Sequence, residues 1–146
     1  MNFTHLKKMI LIVGLFIGLQ TSSSAQFTIG GGAIYSFNGS DFGLQTKGLI
    51  GIGEKMDLSP SATVFLGSGT PWALDFDLQY ELFEIGNGFR FLPFAGLNFL
   101  NNDGSDLGLN LGASIRFDVN ENTVYIEPKL TLLTYEGVAL SAGMLF

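Results

Sequence analysis

Within its extended segments from residue 27 onward, the charged side chains of this sequence obey a period of two. Eight segments, 27–37, 42–52, 56–66, 72–83, 89–100, 107–117, 123–133 and 138–146, alternate in character and are separated by clusters rich in Gly, Asn, Asp and Ser. One parity carries Phe27, Ile29, Tyr35, Phe42, Leu44, Ile50, Val64, Trp72, Phe76, Leu97, Phe117 and their like, and no charge. The opposite parity carries nine: Lys47, Asp57, Asp75, Asp77, Glu81, Arg90, Arg116, Glu127 and Lys129, with Gln45, Gln79, Asn98, Asn110 and many glycines. Successive side chains of a β-strand point to opposite faces, so a period of two sorts these residues onto two sides of a sheet, whereas a helical period would mix them. The sequence therefore predicts an all-β fold, an eight-stranded antiparallel up-and-down barrel with one apolar and one polar face.

Such a barrel can be closed in two ways. A soluble carrier of lipocalin type would line its cavity with the apolar face, whereas a transmembrane barrel would turn that face to lipid and enclose the polar one. Strands of about ten residues match the tilted spans of an outer-membrane barrel. Aromatic residues gather near both strand ends, Trp72, Tyr35, Phe37 and Phe42 at one rim and Phe89, Phe117 and Phe146 at the other, as interfacial girdles do. The chain is 47% hydrophobic, yet its apolar residues beyond position 25 are distributed in alternation and never form a long run. A surface containing Gly30, Gly32, Gly43, Gly51, Gly108 and Gly112 would also be a poor hydrophilic exterior, so the transmembrane arrangement is expected.

The first 25 residues read as a cleaved secretory signal. Lys7 and Lys8 precede the apolar run 9–19, and a small-residue pattern at Ser23 and Ala25 marks a cleavage site. The run is too short for a spanning helix. What remains, residues 26–146, is the size of one domain. It contains no cysteine and no histidine, since His5 lies in the signal, which excludes disulfides, thiolate metal sites and His-dependent catalysis. With Lys7 and Lys8 removed, five basic residues face thirteen acidic ones, a formal charge of −8 that argues against a nucleic-acid partner. No cofactor and no metal site is expected.

Pro60, Pro93 and Pro128 fall in the third, fifth and seventh segments, 33 and 35 residues apart, each on the apolar parity. The spacing reads as a repeated hairpin. Proline cannot donate to a ladder, and a barrel in lipid must satisfy its backbone groups, so these positions are expected near the membrane surface or at bulges.

The last segment ends in an alternation of Val138, Leu140, Ala142, Met144 and Phe146. With the eight alternating strands and the signal, it resembles the small outer-membrane β-barrel proteins of Gram-negative bacteria, and is similar to the membrane domain of outer-membrane protein A. The resemblance covers the whole of residues 26–146. It implies that the terminal Phe and the alternate apolar residues before it are read by the barrel assembly machinery, and that both termini face the periplasm. The loops at 38–41, 67–71, 101–106 and 134–137 would then face outward, with turns at 53–55, 84–88 and 118–122 inside. Short outward loops depart from many relatives and argue against a protruding adhesion surface. Outer-membrane lipids and lipopolysaccharide are the implied partners, and a monomer is the expected state.

Some barrels of this size modify lipid A, but with a histidine to activate serine or water. Asp75 and Asp77 could activate water, yet acids and bases enclosed in a narrow barrel more simply pair with one another. The nine inward charges are therefore expected to form a network that closes the interior, with Lys47, Asp77, Glu127 and Lys129 near mid-height and Arg90, Arg116, Glu81 and Asp57 nearer the periplasmic end. The alternative is a narrow ion-conducting pore, in which inward glycines such as Gly96, Gly112 and Gly143 leave room for water. The stretch 101–106, "NNDGSD", faintly resembles a calcium loop but lacks its glycine and bidentate glutamate, so a tight turn is expected there. Asp41, Asp103, Asp106 and Glu136 add acids to the outer loops, where divalent ions shared with lipopolysaccharide would bind loosely.

Overall fold

The computed structural model describes residues 27–146 except 68, 70, 87, 134 and 135; the expected signal peptide lies outside the described residues. Nine strands follow one another: β1 (Phe27–Ser36), β2 (Asp41–Gly51), β3 (Met56–Phe65), β4 (Trp72–Tyr80), β5 (Phe83–Ile85), β6 (Phe89–Asn101), β7 (Ser105–Val119), β8 (Asn122–Leu133) and β9 (Gly137–Leu145). Successive strands pair antiparallel, with β4 meeting β6 directly and the three-residue β5 also pairing with β6. The first strand pairs with the last, from Gly30 opposite Leu145 to Ser36 opposite Ala139. The result is a closed eight-stranded, up-and-down antiparallel barrel in which β4 and β5 together form one stave.

Closure removes sheet edges, the condition for a β structure to lie in lipid. The burial pattern shows which face lies where. Leu44, Phe76, Leu97 and Leu130 are exposed on the outside, as are most large residues of the uncharged parity, while Lys47, Asp75, Asp77 and Glu127 are each at most 3% exposed inside. A carrier barrel would show the reverse. The soluble-carrier alternative is therefore excluded, and the fold is a transmembrane β-barrel. Tyr35 meets Phe37 edge-on at 5.1 Å near one rim, and Phe89 meets Phe117 at 5.1 Å near the other.

The turns are short and use residues that tolerate a positive φ. Asn120 (58°) sits in the turn between β7 and β8, and Asp103 (59°) in the turn between β6 and β7.

The prolines interrupt the ladder in two different ways. Opposite Pro60 the β2–β3 pairing skips from Lys47–Ser61 to Ile50–Leu58, and opposite Pro128 the β7–β8 pairing skips from Gly112–Lys129 to Ile115–Ile126. Register is kept across both gaps. In each case the pairing on the proline's other side continues, Pro60 with Phe76 and Pro128 with Leu140, so the missing donor faces the preceding strand. Pro93 differs. The β4–β6 pairing stops at Gln79–Phe94 and resumes as Phe83–Phe91, four residues advanced on one side for three on the other. That extra residue is a bulge; Leu82 closes it by donating to the Phe91 carbonyl at 3.0 Å. Of the three proline positions only Pro93 meets a bulge, because an omitted bond alone accommodates a proline whose nitrogen faces an otherwise regular neighbour.

Candidate functional site

The polar parity of the strands converges on the barrel axis, and its side chains bond across the lumen. Lys47 of β2 and Glu127 of β8 form an ion pair, with Lys47 Nζ also 5.0 Å from the centre of the Tyr125 ring. Gln79 donates to the second Glu127 oxygen at 3.1 Å and accepts from Arg116, which also donates to Asp57 at 2.9 Å. One continuous chain thus runs Lys47, Glu127, Gln79, Arg116, Asp57 across five strands.

A second cluster lies beside it, toward the end of the barrel with the 37–40 turn. Asp75 receives Lys129 at 3.1 Å and the amides of Asn98 and Asn110, each at 2.6 Å. Asn110 also reaches Asp77 at 2.9 Å and accepts from Thr131 at 3.0 Å. Burying charge is tolerable only with such partners. The amides matter as much as the cations, because one carboxylate can accept several donors.

Several of the inward glycines face large side chains rather than open space. Tyr125, fully buried, sits against Gly32 and Gly143, which are paired across β1 and β9; a Cβ on either would lie 2.7 or 2.6 Å from its hydroxyl. Phe94 covers Gly112, and Asp77 fills the space over Gly96. Small residues on one stave receive large ones from another, as a packed interior requires.

Among the described residues a cavity opens at each end of the barrel. One of about 210 Å³ reaches from the 37–40 turn down to Asp75, Asn98 and Lys129. The other, about 140 Å³, opens at the opposite end and is bordered by Asp57, Arg90 and Arg116. Among the described residues none borders both, and Lys47, Gln79, Tyr125 and Glu127 border neither.

Seven of the nine expected charges therefore meet inside: Lys47, Asp57, Asp75, Asp77, Arg116, Glu127 and Lys129. Arg90 instead bonds Asp118 at 2.7 Å near the rim, where both are partly exposed. Glu81 lies in the break between β4 and β5, its backbone donating to the Lys55 carbonyl at 2.7 Å; the bulge removes it from the strand parity that predicted it. Sequence reasoning overlooked Tyr125 as the central filler, and Asp118, which the expected turn at 118–122 hid although it shares parity with Arg116. It also overlooked Ile34, Leu49, Leu92, Phe94 and Leu145, apolar yet buried.

In the last strand Val138, Leu140, Ala142 and Met144 take the outward parity, pairing with β8 and in part with β1. Phe146 adds a bond from its backbone N–H to the Ile29 carbonyl at 2.9 Å, with its ring exposed.

Solved structures share this architecture. The N-terminal β-barrel domain of Pseudomonas aeruginosa OprF superposes with a TM-score of 0.68 at 17% identity, over 84% of this chain and 98% of that one. The neisserial surface protein A gives 0.59 at 13% identity, over 84% and 98%. A de novo designed barrel, TMB2.3, gives 0.61 at 10% identity, over 86% and 96%. No family model and no curated protein matches the sequence. The chain has the fold of the small outer-membrane β-barrels of Gram-negative bacteria, and at these identities the likeness is one of fold. Since a designed sequence adopts the same fold, function must be argued from the interior.

Proposed function

We propose that this chain is a non-enzymatic integral outer-membrane protein with a structural role, its interior closed to solutes by the charge-paired network. One observation supports the reading: the cavities at the two ends share no lining residue among the described residues, and the Lys47–Glu127 pair, Gln79 and Tyr125 border neither. Export by the N-terminal signal, insertion by the assembly machinery reading Val138 to Phe146, periplasmic termini and contact with lipopolysaccharide complete it. A histidine-free sequence beyond residue 25 supports the non-enzymatic part.

The rival reading, a narrow ion-conducting pore, draws on the same cavities, one at each end of the barrel. Solute flux decides between them. Liposomes holding the purified protein should swell in isotonic small sugars and salts no faster than empty ones; swelling that scales with protein content would favour the pore.

A further inference from the structure

We propose that the cavity between Arg90 and Arg116 binds a small oxyanion, specifically a phosphate group, free or carried on a lipid headgroup. The site lies at the end of the barrel where β1 begins and β9 finishes, and it does not depend on whether the barrel conducts.

Arg90 and Arg116 are directly opposite one another in the β6–β7 ladder. Like charges at such a position repel, and the arrangement persists only where something offsets them. Each has one carboxylate, Asp118 for Arg90 and Asp57 for Arg116, held by a terminal nitrogen. The two Nε–H groups have no partner among the described residues, although both are buried and Arg116 is only 3% exposed. A buried donor without an acceptor is costly, and two of them on arginines paired across one ladder leave this end of the barrel with more donors than acceptors.

The cavity they border has a volume of about 140 Å³, room for several waters or one tetrahedral oxyanion. Thr28 and Thr123 lie on its wall, the Thr123 hydroxyl donating to Asp118 at 2.9 Å, and Asp57 is the one acid among its described lining residues. That acid is already engaged by Arg116. The Arg90–Asp118 pair is partly exposed, with side chains 26% and 43% accessible, and such pairs hold weakly. Arg90 can therefore turn its fork to an incoming anion, while Arg116, fixed by Asp57 and Gln79, forms the rigid half of the clamp. Guanidinium forks suit phosphate in a way an ammonium does not.

The test uses purified protein in maltoside micelles, which carry no phosphate, and follows the phosphorus resonance of inorganic phosphate or of phosphatidic acid doped into the micelles. The expected result is a saturable shift or broadening of at least one of the two signals; whichever responds identifies the source. In Arg90→Gln, whose rim position leaves the heat-dependent gel shift of the folded barrel intact, affinity should fall at least tenfold, with Arg90→Lys in between. A signal that never responds, or responds equally with wild type and Arg90→Gln, would overturn the site.

Discussion

Lys47 on β2 and Glu127 on β8, eighty residues apart in sequence, form an ion pair in the barrel interior with side chains only 2% and 4% exposed. The pair ties strands that are not neighbours in the barrel wall, which the backbone ladder alone does not do. Breaking one half leaves an uncompensated buried charge, and that is what makes it informative.

Glu127→Gln keeps the shape and the Gln79 contact but strands the Lys47 ammonium. It should cost about 3–5 kcal/mol of folding stability, read from urea titration in bilayers. Replacing both partners by apolar residues, Lys47→Met with Glu127→Leu, should restore most of that loss. A double variant as unstable as the single one would refute the pairing.

Lys129→Met removes the cation 3.1 Å from Asp75, leaving its carboxylate to Asn98, Asn110 and a distant Ser61 hydroxyl. The temperature at which the folded band converts on gels should drop clearly. An unchanged temperature would mean that the amides suffice without the ammonium.

Gly143→Ala places a methyl 2.6 Å from the Tyr125 hydroxyl and hard against the Gly31 carbonyl. Overpacking of this kind costs about 1–3 kcal/mol. Adding Tyr125→Ala should recover only part of it, because the backbone clash remains; a double-mutant cycle measures the share. Full recovery would locate the strain in the ring alone.

Much of this was legible from residues 27–146 because a period of two leaves little freedom. Once Lys47, Asp75, Glu127 and Lys129 share a parity, closure with that parity inside follows, and the strand limits come out within a few residues. The break at Glu81–Leu82 was not legible. Leu82 continues the outward alternation of β4, and only the spatial demand of Pro93 on the neighbouring strand inserts the extra residue. Pairings such as Gln79 with Arg116 were equally hidden, since they depend on stagger around the barrel rather than on sequence separation. Glycine was ambiguous for the same reason: Gly32 and Gly143 read as open space until Tyr125, from another strand, is seen to fill it.

Leu97, 45% exposed between Phe76 and Leu109 on the outer face, tests the lipid-facing belt. Leu97→Arg should lower folding free energy in bilayers by about 2–4 kcal/mol, as expected for a charge near the midplane. On a water-facing surface the same change would be nearly neutral. A cost below about 0.5 kcal/mol would place this belt outside the hydrocarbon.

The closed interior is tested most directly by single-channel recording of the purified protein in planar bilayers, wild type beside the apolar Lys47→Met, Glu127→Leu double variant. The account predicts traces indistinguishable from the bare membrane for both, since Tyr125 and the remaining polar chain keep the end cavities apart. Discrete conductance steps from the wild type, scaling with the number of inserted molecules, would contradict it.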